Sequence, residues 1–109
     1  MIKLTNSAII PQPGTYHARQ ITKEEFIALV QRASEQNFLE SYIGYQQNVE
    51  LIRKWTGVSV ALNRAETKLE SGDAMLVMKL KYRVADPSTK GAQVNEDDFE
   101  FYLIGYSRE

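Results

Sequence analysis

The chain has 109 residues, 43% apolar and 25% charged, with a formal charge of −1 at neutral pH, no cysteine and a single histidine. That is enough chain for one core and too little for two, so residues 1–109 form a single domain of ordinary soluble composition. The same numbers exclude a disulfide framework, a thiolate nucleophile and a zinc site, and they argue against bulk attraction to long nucleic acids.

No apolar run approaches the ~20 residues of a membrane span, and the N-terminus has no signal-peptide pattern, so the expectation is a cytoplasmic protein with no membrane partner. In chain order, Ile2 to Thr5 reads as a short buried strand. Pro11, Pro13 and Gly14 then stop regular structure, and Tyr16 to Gln20 suits a second strand. Thr22-Lys23-Glu24-Glu25 has capping-box spacing, which predicts a helix from Lys23 to about Glu35 with Phe26, Val30 and Ala33 on its apolar face.

Phe38 to Ile43 is the next expected strand, ended by Gly44. Val49, Ile52 and Trp55 then follow helical spacing, and Gly57 stands where a left-handed cap belongs, so a second helix is predicted over Gln46 to Thr56. The remainder reads as β structure. Arg64 to Leu69 is expected as a strand turning through Gly72 into a long neighbour from Ala74 to Val84, and Phe99 to Tyr106 as the last strand, with Phe99, Phe101 and Leu103 on one face. The fold class is α+β, with two helices covering one side of a mixed sheet of about five strands.

Three features suggest chemistry, each with a plainer alternative. On the long strand, Lys79, Lys81 and Arg83 share one face at roughly 7 Å spacing, close to that of successive phosphates; a solvated sheet face has the same pattern. Gly44-Tyr45-Gln46 opens a helix whose first amides lack internal partners, which suits an anion; equally, Gly44 eases a tight turn and Tyr45 packs at a rim. Asn6-Ser7 and Asn63-Arg64 sit at strand ends, where loops carry ligands or simply make turns. His17 has no assigned role, and the run Glu96-Asp97-Asp98 fits a solvated loop better than a magnesium site.

Taken together, L-T-N-S-A-I-I at the start, I-G-Y at Ile43 to Tyr45, V-x-x-N-R at Val60 to Arg64, G-D at Gly72-Asp73 and M-K-L-K-Y-R at Met78 to Arg83 resemble the viral ring nucleases. These are anti-CRISPR proteins of archaeal viruses and bacteriophages that destroy cyclic tetra-adenylate without a metal or other cofactor. The resemblance implies an interlocked homodimer with the cyclic oligonucleotide lying across its two-fold axis. It implies ligand contacts at Asn6, Ser7, Gly44, Tyr45, Gln46, Asn63, Arg64, Lys81 and Arg83, with Asp86 assisting.

The chain departs from the family pattern at Asp86, where glutamate is usual, at Asn48, where threonine is frequent, and most consequentially at Tyr45. The family carries histidine as general acid where this chain has Tyr45, and tyrosine, with a reference pKa of about 10, is a poorer proton donor at neutral pH. A binder with slow or absent cleavage is therefore expected, with a dimeric protein on duplex DNA as the alternative.

Overall fold

The computed structural model describes residues 1–6, 12–80 and 98–108. Its elements are β1 (Ile2–Thr5), β2 (Thr15–Ile21), α1 (Lys23–Glu35), β3 (Leu39–Tyr42), α2 (Gln46–Thr56), β4 (Ala74–Leu80) and β5 (Phe99–Ser107). The strands form one mixed sheet in the order β2-β5-β4-β1-β3. β1 runs parallel to both β3 and β4, whereas β5 is antiparallel to β4 and β2. The α+β class, a mixed sheet of five strands and the two helices match the reading of the sequence, while residues 81–84 of the expected Ala74–Val84 strand lie outside the described residues.

Local chemistry fixes the helix ends. Thr22 Oγ1 accepts from the Glu25 amide at 3.1 Å and the Thr22 amide donates to Glu25 Oε1 at 3.0 Å, so α1 begins with a complete capping box. Gly57 closes α2 at φ 77°, in the left-handed region, with its amide on the Arg53 carbonyl. A side chain at that φ would be strained, which is why glycine stands there.

Both helices pack on the same face of the sheet. Phe26 and Val30 of α1 and Ile52 of α2 are buried with Leu4, Leu76, Met78, Phe99 and Phe101. Phe26 stacks at 4.6 Å between centroids on Phe101, while Trp55 meets Phe99 edge-on at 6.0 Å. Truncating Phe26 to alanine would cost about 3–5 kcal/mol in a site this full.

The far face carries a smaller cluster of Leu69, Met75, Val77, Ile104 and Tyr106. Here one expectation fails. Residues Arg64 to Leu69 are not a strand: the segment has no ladder partner, and β4 pairs with β1 and β5 instead. The segment crosses the far face as an irregular strap, and only its last residue, Leu69, is buried deeply. On this face of β4, Lys79 is exposed, as both readings of the cationic stretch require. Met75 and Val77 lie on the same face and are buried, so the polar character starts only at Lys79.

Candidate functional site

Because β1, β3 and β4 are parallel, their carboxyl ends share one edge of the sheet, the place where open α/β sheets bind ligands. Asn6 follows β1 and Gly44 follows β3, and the two meet: the Gly44 amide donates to Asn6 Oδ1 at 2.8 Å. Arg64 Nε donates to the Gly44 carbonyl at 2.9 Å. Both polar groups of one residue are thus held by two side chains from elsewhere in the chain.

Asn63 explains how Arg64 gets there. Its backbone amide donates to the Ile43 carbonyl at 2.8 Å, beside a parallel bridge between Ile43 and Leu62. Its side-chain nitrogen donates to the Ser41 carbonyl at 3.0 Å and its side-chain oxygen accepts from the Ala65 amide at 3.0 Å. The edge of β3 is therefore occupied by a short stretch that delivers Arg64 to the mouth of α2. Arg64 is exposed, and among the described residues no carboxylate lies within ion-pair distance of it.

Tyr45 is the residue before the first turn of α2, extended at φ −126° and ψ 130°, and its side chain makes no capping bond. It is 40% exposed. Gln46 opens the helix and is exposed too. Among the described residues the amides of Gln46 and Gln47 have no backbone partner, whereas the Asn48 and Val49 amides reach the Tyr45 carbonyl. The first turn holds no acidic residue.

Gly44 has no positive φ, so its backbone would accept a side chain. A Cβ there would stand 3.5 Å from Arg64 Cγ and 3.7 Å from Asn6 Oδ1, in ordinary contact. What glycine provides is open space over the helix mouth rather than a special backbone shape.

The structure thus gathers Asn6, Gly44, Tyr45, Gln46, Asn63 and Arg64. Ser7, Lys81, Arg83 and Asp86 lie outside the described residues. Of the cationic ladder only Lys79 is described: it is exposed, 6.0 Å from the Tyr102 ring centroid and opposite Glu100 in the β4–β5 register. Tyr102 donates to Glu100 at 2.8 Å, and that bond pushes the tyrosine above its usual pKa. His17 is exposed on the β2 edge strand.

Two residues, one in the first turn of α2 and one on β1, left no trace in spacing. Gln47 carries a side-chain nitrogen that is buried and has no hydrogen-bond partner, an arrangement that buried donors normally avoid. Lys3, only 7% exposed, sits on the far face of β1 with Glu40 Oε1 at 2.6 Å and Asp73 Oδ2 at 3.9 Å. Burial draws the lysine's pKa down, but the hydrogen bond and charge of Glu40, with smaller help from Tyr42 and Asp73, outweigh it and leave it raised.

A family model described as STIV B116-like matches residues 2–108. The chain belongs to that family. Protein 26 of Sulfolobus islandicus filamentous virus (isolate Iceland/Hveragerdi), described as uncharacterized, is 29% identical over 111 residues, covering 98% of this chain and 86% of that protein. Among solved structures, B116 of Sulfolobus turreted icosahedral virus superposes with a TM-score of 0.76 at 21% identity, covering 95% of this chain and 97% of that one. At that identity the likeness is one of fold. Both relatives are proteins of archaeal viruses.

Proposed function

We propose that this family member acts on cyclic oligonucleotide second messengers, cyclic tetra-adenylate in particular, holding the ring at a homodimer interface and so blunting antiviral signalling in the host cytoplasm. The observation that carries the reading is Gly44 held between Asn6 and Arg64 at the open mouth of α2. A phosphodiester placed there meets helix-end amides, the positive end of the helix dipole and an arginine with no acidic partner among the described residues. A two-fold dimer would present the arrangement twice, which suits a symmetric ring.

Cleavage, where it occurs, needs no metal. A ribose 2′ hydroxyl gives up its proton to solvent as its oxygen attacks the adjacent phosphorus in line, the bond to the 5′ oxygen breaks, and a proton must reach that leaving oxygen. The products are a 2′,3′-cyclic phosphate and a 5′ hydroxyl. Tyr45 is the residue nearest in role to the proton donor, with Arg64 and Arg83 for charge and Asp86 in support. General acid help is worth roughly 10²–10⁴ in rate, so a tyrosine in place of histidine leaves a tight binder that turns over slowly or not at all.

Incubation with radiolabelled cyclic tetra-adenylate followed by chromatography tests this. A tight complex from which the ring is recovered largely intact is expected, with Tyr45→His raising the cleavage rate by roughly 10²–10⁴. Absence of any complex with cyclic di-, tri-, tetra- and hexanucleotides sinks the proposal. A specific duplex complex that weakens steeply with salt, and no ring bound, would replace it with the DNA-binding reading.

A further inference from the structure

Arg64 begins the strap that crosses the far face, and the strap's other end is held in an unusual way. Leu69 has no strand partner. Instead its amide donates to Gln12 Oε1 at 3.0 Å and its carbonyl accepts from Gln12 Nε2 at 2.9 Å, so one side-chain amide satisfies both backbone groups as a neighbouring strand would. Gln12 Nε2 also donates to the Tyr106 hydroxyl at 3.0 Å, which in turn donates to the Pro13 carbonyl at 2.8 Å. The Gln12 carbonyl accepts from the Tyr16 hydroxyl at 2.6 Å.

This network fixes the amide's orientation. Turned over, it would set oxygen against the Leu69 carbonyl and N–H against the Leu69 amide. It also lies at the end of the sheet away from the site, where Thr15 pairs with Ser107 and Gly72 bonds to Tyr106. The strap therefore runs between two side-chain amides: Asn63 at the mouth of α2 and Gln12 at the opposite end. Between them Ala65, Glu66 and Lys68 are exposed, and only Thr67 is partly covered. Glu66, Thr67 and Lys68 carry any displacement from the Leu69 end to Ala65, whose amide hydrogen bond to Asn63 is the last tie before Arg64.

We propose that Gln12 is a positioning residue: its side-chain amide clamps the Leu69 end of the strap and thereby sets where the Arg64 guanidinium stands. As a statement about an anion site it rests on the function proposed above, and it adds the element that holds the arginine in readiness for a phosphodiester.

The first test needs no nucleotide. In the full chain, the Arg64 Nε proton, bonded to the Gly44 carbonyl, is followed by nitrogen-resolved NMR exchange at a temperature where thermal melting shows every variant folded. Gln12→Ala is expected to speed its exchange about tenfold. Tyr106→Phe keeps the ring's packing and removes only the hydroxyl, and it should move exchange in the same direction by less. Unchanged Arg64 exchange in both variants overturns the proposal.

The second test uses cyclic tetra-adenylate. Gln12→Ala should weaken binding about three- to thirtyfold, the range expected for one or two hydrogen bonds. In an Arg64→Ala background the same change should alter affinity by less than about twofold, because residues acting through one another are not additive. An equal loss in both backgrounds overturns it. If the unaltered protein binds no ring, the functional reading falls while the Arg64 exchange still decides the clamp.

Discussion

The two helices lie on the same face of the sheet and begin in opposite ways. α1 closes itself: Thr22 and Glu25 satisfy each other's amides, Glu24 and Glu25 complement the dipole, and Arg19 stands 3.6 Å from the Glu25 carboxylate. α2 begins with Gly44 and Tyr45, with no side-chain cap bond and no acid in the first turn. A cap and a first-turn acid each stabilise a helix, by about 1 kcal/mol and a few tenths to 1 kcal/mol respectively. α2 forgoes both and is held by the burial of Ile52, Asn48 and Thr56 and by its Gly57 terminus. Asn6 and Arg64 converge on that open end, and among the described residues the closed one, with Arg19 paired to Glu25, shows no such gathering. Under the function proposed above, the contrast is between a helix start used for stability and one left for a ligand.

Closing the open end should have the largest effect. Tyr45→Asp places a capping carboxylate beside the α2 amides, so melting should rise or hold while affinity for cyclic tetra-adenylate falls by more than about a hundredfold, the negative charge now occupying the phosphate's place. Calorimetry and titration on the same sample read both quantities. Retained affinity would show that the mouth of α2 is not where the ligand's charge sits.

Opening the closed end should have a smaller and different effect. Thr22→Ala removes one half of the box and should cost about 1 kcal/mol, seen as a fall of roughly 4–8 °C in melting temperature. Ligand affinity should stay within about twofold. A variant that melts normally but binds poorly would reverse the roles assigned to the two ends.

The same contrast explains what was legible in the sequence. Helix ends depend on neighbours three or four residues away, so the Thr22 box and the Gly57 cap placed α1 and α2 correctly, and alternation placed Phe99 and Phe101 on the helix face. The Arg64–Leu69 segment was misread because what holds it lies far along the chain: Gln12 is 57 residues from Leu69. A side chain standing in for a strand leaves no periodicity behind. Asn6, Gly44, Asn63 and Arg64 were named from strand ends and from family resemblance, yet that Gly44 joins Asn6 to Arg64 is visible only in three dimensions. The cationic face was half legible, since alternation placed Lys79 correctly but gave no sign that Met75 and Val77 beside it are covered.

The smallest effect concerns acid. Glu25 is held below the ordinary glutamate pKa of 4.5 chiefly by the Thr22 backbone hydrogen bond, and Glu40 chiefly by its hydrogen bond from Lys3. A carboxyl depressed in the folded state binds its proton more readily when unfolded, so its stabilisation is complete above the unfolded value and is lost as pH falls through the folded one. Lys3 is shifted the other way, upward from 10.5, and its contribution is lost only as pH rises beyond that value. Stability against pH should therefore be flat near neutrality and decline below about 4.5. Glu25→Gln and Glu40→Gln should each make the acid decline shallower, but at pH 7 Glu40→Gln should cost more. It leaves Lys3, nearly buried, facing only Asp73 at 3.9 Å among the described carboxylates, whereas Glu25 is solvated and its partner Arg19 is exposed. Equal costs at neutral pH would mean that Lys3 finds other partners once Glu40 is neutral, and that the far face of β1 is less dry than its burial implies.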